Sequence, residues 1–169
     1  MCKNLTDALN ALRIMKSHVI RDQLVQFFNA NFMSHLYHCA FIYTHLNSND
    51  INRLQFLQNR SIKLIFGLDT THSTKELFTN YLPRTLCVVG VIIYVLLVSI
   101  KKSLLLKCDE LPKFEILVGR LRSSGALAVA PFKRKNRLQG DCSHLGAKLF
   151  NDLPADIKSV ESLAKFKKN

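Results

Sequence analysis

The sequence predicts a mainly α fold, a helical bundle followed by a small irregular or mixed α/β C-terminal segment. Three observations predict it. Apolar residues recur at helical spacing over the first hundred residues. Residues 86–100 form an apolar run without a charge, and glycines and prolines interrupt residues 107–142. Hydrophobic residues make up 48% of the 169-residue chain, so it can bury a modest core and is not a disordered polymer.

Three helices are predicted before the polar run at residues 47–50. Thr6 is suited to cap the first helix, in which Leu9, Leu12 and Ile14 are predicted to form an apolar stripe that extends to about Lys16. The second covers residues 20–31, with its phenylalanines on the apolar side. Ser34 is suited to cap the third.

The best-defined helix is predicted from Ser48 to Phe66. Residues 47–50 supply its N-terminal cap, and Gly67 suits a left-handed residue at its end. Arg53, Arg60 and Lys63 fall toward one side at 100° per residue. The opposite, apolar side is predicted to hold Ile51, Leu54, Leu57, Ser61, Leu64 and Ile65.

A short helix at residues 74–81 precedes the apolar run at 86–100, which Lys101 and Lys102 are expected to end. A helix of that length rises about 22 Å at 1.5 Å per residue, short of the roughly 30 Å hydrocarbon core of a bilayer. We therefore expect it to be buried in the bundle. The alternative is a small single-span membrane protein anchored by this run.

Three regions are predicted along the chain. Residues 1–100 form the helical bundle, and residues 101–142 form a basic, irregular connection with a possible short strand at residues 127–129. Residues 143–169 form a C-terminal tail that carries the motif LFNDLP and a short helix.

The charge of the chain favours a polyanionic partner. Lys and Arg number 24 against 12 acidic residues, a net charge of +12. Residues 1–100 contribute +4 and residues 101–169 contribute +8. Charge of this sign suits nucleic acid or an anionic membrane surface. The densest basic cluster consists of Lys133, Arg134, Lys135 and Arg137. It suits a phosphate track or a targeting signal, and the alternative is a solvated loop.

The cysteines and histidines do not predict a metal site or a cofactor. Five cysteines are scattered without a C-x-x-C pair, and the N-terminus lacks a secretory signal pattern. We therefore expect reduced thiols and an intracellular protein, in the nucleus or cytoplasm and not secreted. Cys142 and His144 lack a partner pair, and His35, His38 and His45 lack a nearby carboxylate ligand.

The stretch SHLYHCAFIYTHLNSNDINRLQFLQNRSIKLIFG, from Ser34 to Gly67, resembles the region after the palm in reverse transcriptases of non-LTR retrotransposons, the LINE and jockey-like elements. The chain also resembles their C-terminal signature, with Gly146, LFNDLP at 149–154 and FKK at 166–168. Tyr43 and Phe150 stand where that family usually has tryptophan. The other matching positions are His35, Leu36, Leu54, Leu57, Gln58, Arg60, Ile62 and Ile65.

The resemblance implies that this chain is the thumb and tail of an RNA-directed DNA polymerase. The metal-binding aspartates of the family lie in a Y/F-x-D-D turn of the palm, which this sequence lacks. They would lie before residue 1, so we expect a non-catalytic fragment. G-x-S-x-G, Walker and H-E-x-x-H motifs are also missing from the sequence.

A thumb would hold an RNA–DNA hybrid or duplex DNA without reading its sequence. The resemblance places the basic side with Arg53, Arg60 and Lys63 along the duplex backbone. The alternative for these residues is a solvated helix face. A further alternative for the whole chain is a stand-alone interaction protein derived from such an element.

Overall fold

The structure is a computed structural model that describes residues 2–106 and 142–168. Helices take up 75% of these residues and no strand occurs among them, which confirms the prediction of a mainly α fold. The proposed strand at 127–129 lies outside the described residues. The helices are α1 (Cys2–Met15), α2 (Arg21–Phe27), a first π-helical segment (Phe28–Met33), α3 (Ser34–His38), α4 (Ala40–Tyr43), α5 (Ser48–Phe66), α6 (Thr74–Glu76), a second π-helical segment (Leu77–Tyr81), α7 (Val88–Leu106), α8 (Cys142–Asn151), α9 (Ala155–Lys158) and α10 (Leu163–Phe166).

The chain divides into two compact units, Met1–Ile92 and Ile93–Asn169. In the first unit, α1 packs against α5 and the first π-helical segment, and α2 also contacts α5. The second π-helical segment packs against α5 as well. This arrangement makes α5 the helix on which the rest of the first unit is assembled.

Helix α1 begins at Cys2, one turn before the predicted cap at Thr6. Leu5, Leu9 and Leu12 are each at most 2% exposed and form one stripe at helical spacing. Ile14 was wrongly predicted to belong to this stripe: it is 70% exposed, because two positions after Leu12 the helix has turned by about 200°. Because Leu5 belongs to the buried stripe, the helix extends to include it, and Thr6 lies inside the helix. The prediction of Thr6 as the N-cap was wrong.

The segment from α2 through α3 is one continuous run of helical backbone. The residues at both joints, Phe28 and Ser34, have right-handed helical dihedral angles. Ser34 is therefore not a cap. Its hydroxyl donates back to the carbonyl oxygens of Ala30 and Asn31, as a serine inside a helix often does. Phe28 and Phe32 are fully buried and stacked, with ring centroids 5.2 Å apart, and this packing carries the helix through the predicted break.

Helix α5 has the predicted bounds, Ser48–Phe66. The side chain of Asn47 accepts a hydrogen bond of 2.8 Å from the backbone N–H of Asp50, and Gly67 ends the helix in the left-handed region with φ 67°. The buried side of the helix is rotated from the predicted one. It consists of Leu54, Gln58, Ser61, Ile62 and Ile65.

Helix α7 begins two residues later than predicted and continues past Lys101 and Lys102 to Leu106. The expected end at the two lysines was wrong, since lysine is a good helix former and its charge alone does not end a helix. One side of α7 is buried at Val88, Val91, Ile92, Leu96 and Ile100. On other sides, Val89 is 48% and Leu105 is 40% exposed.

In the second unit, the later part of α7 packs with the tail helices. Ile100, Ala147 and Phe150 form a buried cluster, so Phe150 fills the core position of the motif LFNDLP. Lys101 is only 6% exposed. Its Nζ donates to the carbonyl oxygen of Lys158 over 2.7 Å and lies 5.7 Å from the ring centroid of Phe166. These contacts explain how a lysine is accommodated there.

Candidate functional site

A groove of about 730 Å³ lies along α5 in the first unit, with four cationic side chains around it. Arg13 and Lys16 come from the C-terminal end of α1 and its following residue, and Arg60 and Lys63 come from α5. The remaining lining is polar or apolar and consists of Phe56, Asn59, Leu64, Gly67, Leu68, Thr70 and Thr74. Among residues 2–106 and 142–168, no acidic side chain lines this groove.

The packing of α1 against α5 brings these cations together. The leucine stripe of α1 is buried, whereas Arg13 and Lys16 are exposed at its end. On α5, Arg60 is exposed and Lys63 is half-buried, away from the buried side that holds Leu54. The four positive side chains therefore line a common groove, although the two on α5 come 44 to 50 positions after the two at the end of α1.

The cations of the groove are available to an anionic ligand. In the part of the chain that the structure describes, none of the four forms an ion pair with a carboxylate. Lys63 Nζ donates to the carbonyl oxygen of Thr70 over 2.6 Å, which uses one of its three N–H donors. Arg13 Nη1 makes only a long bond of 3.4 Å to Asn10 Oδ1. Arg13, Lys16 and Arg60 are exposed, and Lys63 is half-buried.

Asp69, in the loop after α5, has a lowered pKa. The main cause is a hydrogen bond of 2.6 Å from the backbone N–H of Thr70. The hydroxyl groups of Thr71 and Thr70 also donate to the carboxylate, and the positive charge of Lys63 adds a smaller effect. These hydrogen bonds lie in the loop that places Thr70 at the edge of the groove.

A second, smaller cavity of about 400 Å³ lies nearer the start of α5 and is lined by Thr6, Asn52, Arg53, Phe56 and Leu57. Phe56 lines both cavities and is 63% exposed. Arg53 and Lys63 are ten positions apart, which is about 15 Å along a helix at 1.5 Å per residue. That length matches roughly four phosphates of one strand at 3.4 Å per nucleotide.

The structure thus unites part of the predicted basic set and adds to it. Arg60 and Lys63 share the groove, and Arg53 lies in the adjoining cavity. Arg13 and Lys16 were not predicted. Their exposed positions on α1 could be read from the leucine stripe, but their place beside α5 depends on how the two helices pair. The cluster of Lys133, Arg134, Lys135 and Arg137 lies outside the described residues.

The histidines do not assemble into a site. Among residues 2–106 and 142–168, no group of three or more His, Cys, Asp or Glu side chains could hold a metal ion. His35 is half-buried, and His38 and His45 are exposed. The side chains of Cys142 and His144 lie outside the described part of the chain.

No family model, curated protein or solved structure matches this chain. The resemblance to reverse transcriptases of non-LTR retrotransposons therefore stays a prediction from the motifs of the sequence. The groove along α5 is the feature of the structure on which a function is best argued.

Proposed function

We propose that this chain binds nucleic acid through its phosphate backbone, weakly and without sequence preference. One observation carries the proposal: two cations from α5 and two from the end of α1 and its following residue line a groove that, among the described residues, has no acidic lining. Neutralising phosphates releases condensed counterions, and this drives binding that is independent of sequence. Contacts to phosphates position a nucleic acid without reading its sequence.

The motifs from Ser34 to Gly67 and from residue 146 onward support a more specific form of this proposal. In it, the chain is the thumb and tail of a non-LTR reverse transcriptase and holds an RNA–DNA hybrid or duplex DNA. The same motifs include Arg60, which lies in the groove. In this form the chain alone does not polymerise, because DNA synthesis requires metal-bound carboxylates that the family carries on its palm. Purified chain given primer, template, nucleotides and Mg²⁺ is expected to extend nothing.

Fluorescence anisotropy tests the binding. Labelled RNA–DNA hybrid and duplex DNA, each in two unrelated sequences, are titrated with the full chain at low salt. We expect binding to all four, with equal affinity for the two sequences of each type. Absence of binding at low salt, or a strong preference for one sequence, would contradict the proposal.

A second candidate function is anchoring in a membrane by α7. By length and composition, residues Val88–Leu105 could cross a bilayer, and only 33% of that stretch is buried in the structure. The exposed side chains of Val89 and Leu105 favour this alternative over a helix that is buried all round. Alkaline carbonate extraction of tagged chain from cells separates the two. An anchored protein stays with the membranes, whereas a nucleic-acid-binding protein is released.

A further inference from the structure

Phe56 is an exposed aromatic ring among cations. It is 63% exposed and lines both cavities. Arg53 and Arg60 are three positions before and four positions after it, so they lie on the same side of α5. A ring of this size is usually buried, because it removes a large apolar area from water. An exposed phenylalanine in a cationic groove suggests a ligand that is both anionic and aromatic.

Nucleic acid is anionic in every form, but its aromatic base faces are accessible only where the bases are unpaired. In a duplex each base face is covered by its neighbours, and side chains reach base edges and phosphates alone. In a single strand a base can stack on an aromatic side chain while its phosphates are held by basic groups. An acidic protein segment would suit Arg53 and Arg60, but it would not need the ring between them.

We propose that Phe56 is a stacking platform for an unpaired base, so that the groove prefers single-stranded nucleic acid over fully paired duplex. Arg53 on one side and Arg60 and Lys63 on the other would hold the phosphates that flank this base. The inference rests on the proposed function, because the cations bind any polyanion and the ring adds selectivity for unpaired bases. Stacking tolerates any base, so little sequence preference is expected.

The test uses the lack of tryptophan in this chain. Phe56→Trp places a single fluorescent indole in the groove while keeping an aromatic ring. We expect its fluorescence to be quenched by a single-stranded oligonucleotide and left unchanged by saturating heparin, which is a polyanion without bases. Quenching by both ligands to the same extent would overturn the stacking role.

Affinities of Phe56→Ala complete the test. Loss of one base–aromatic stack should weaken single-strand binding by about 5- to 150-fold and leave heparin binding unchanged. Phe56→Leu, which is apolar without an aromatic face, should behave like the alanine variant. Ile42→Ala is the matched control, because Ile42 is 48% exposed and does not line either cavity.

The outcomes separate the two proposals. If Phe56→Ala binds single strands as tightly as the parent chain, or loses heparin affinity equally, the stacking role is wrong and phosphate binding stands. If the parent chain binds neither oligonucleotides nor heparin at low salt, the proposed function itself fails. Tighter binding of the parent chain to a blunt duplex than to a single strand of the same length would also overturn the stacking role.

Discussion

Gln58 is a polar side chain with 0% exposure in the middle of α5. Its Nε2 donates to the carbonyl oxygen of Leu86 over 2.8 Å and approaches the sulfur of Met33. The neighbouring Gln55 donates to Gln58 Oε1 and accepts a bond of 2.9 Å from the backbone N–H of Val88. The two glutamines thus supply partners for the carbonyl oxygen of Leu86 and the N–H of Val88 at the start of α7. An N–H group in the first turn of a helix has no partner within the helix.

We expect Gln58→Ala to destabilise the fold. The side chain would lose its bond to the carbonyl oxygen of Leu86 and the one it accepts from Gln55, and a lost hydrogen bond costs about 0.5–1.5 kcal/mol. Urea unfolding followed by circular dichroism measures the loss. Gln26→Ala, at an exposed position of α2, is the control and should stay within about 0.5 kcal/mol of the parent. Equal stability of the two variants would show that the network of Gln55 and Gln58 does not support the fold.

Asp69 gives a prediction about pH. Because its pKa is lowered in the folded chain from an ordinary value of 3.8, the ionised carboxylate favours folding above that pH. The contribution declines as the pH falls from about 3.8 through the lower folded value. A carboxyl NMR titration should place the midpoint of Asp69 below 3.8.

The contribution of Thr71 to that shift can be tested by substitution. Its Oγ1 donates to Asp69 Oδ2 over 3.0 Å, so Thr71→Val should raise the midpoint of Asp69 toward its ordinary value. Thr79→Val is the control, since the Thr79 hydroxyl bonds backbone carbonyl oxygens rather than a carboxylate. A midpoint that is the same in both variants would remove Thr71 from the explanation.

At the scale of helices, features that depend on adjacent residues are predicted from the sequence better than the packing between helices. The bounds of α5 follow from Asn47 and Gly67, because capping depends on residues adjacent to the helix. The cap proposed at Ser34 failed because the stacked rings of Phe28 and Phe32 hold the backbone in one continuous helical run. Burial of Gln58 could not be predicted either, since its partner oxygen on Leu86 is 28 positions away in sequence.

The groove could likewise be predicted from the sequence only in part. The positions of Arg60 and Lys63 on the polar side of α5 follow from helical periodicity. Their meeting with Arg13 and Lys16 depends on the pairing of α1 with α5, which periodicity does not specify. A sequence can therefore indicate a basic helix face, but a groove requires the second helix.

Helix α7 offers a test of which of its sides is packed. Val91 and Leu96 are each 1% exposed, and burying such side chains contributes about 1.5–3 kcal/mol each. Val91→Asp or Leu96→Asp should therefore unfold the chain, because an unpaired carboxylate would replace a buried apolar group. Circular dichroism and thermal unfolding measure this.

Val89→Asp is the matched control on the same helix, since Val89 is 48% exposed. In a soluble protein this variant should remain folded and extractable. If the parent chain is retained in membranes and the Val89→Asp variant is released from them, the membrane function is favoured and the soluble interpretation of α7 is wrong.

For the whole molecule, a net charge of +12 predicts some affinity for any polyanion. The contribution of net charge to binding must therefore be measured separately from that of the groove. The cluster at residues 133–137 is a second place where phosphate contacts are predicted from the sequence. If the four cations of the groove and the four of this cluster all contact duplex DNA, the logarithm of the affinity should fall with log salt with a slope of up to about −7, at 0.9 per phosphate contact. Replacing the four cations of the cluster by alanine should reduce that slope by up to about 3.6.

The most direct test of the groove is a salt titration of duplex DNA binding by two variants of equal charge. In one, Arg13, Lys16, Arg60 and Lys63 are replaced by alanine. In the other, the replaced residues are Lys3, Arg84, Lys102 and Lys165, which are exposed and do not line the groove. The groove variant should lose up to about 3.6 from the slope, at 0.9 per phosphate contact, and the control variant should keep the parent slope. Equal slopes in the two variants would show that the groove along α5 is not where the nucleic acid binds.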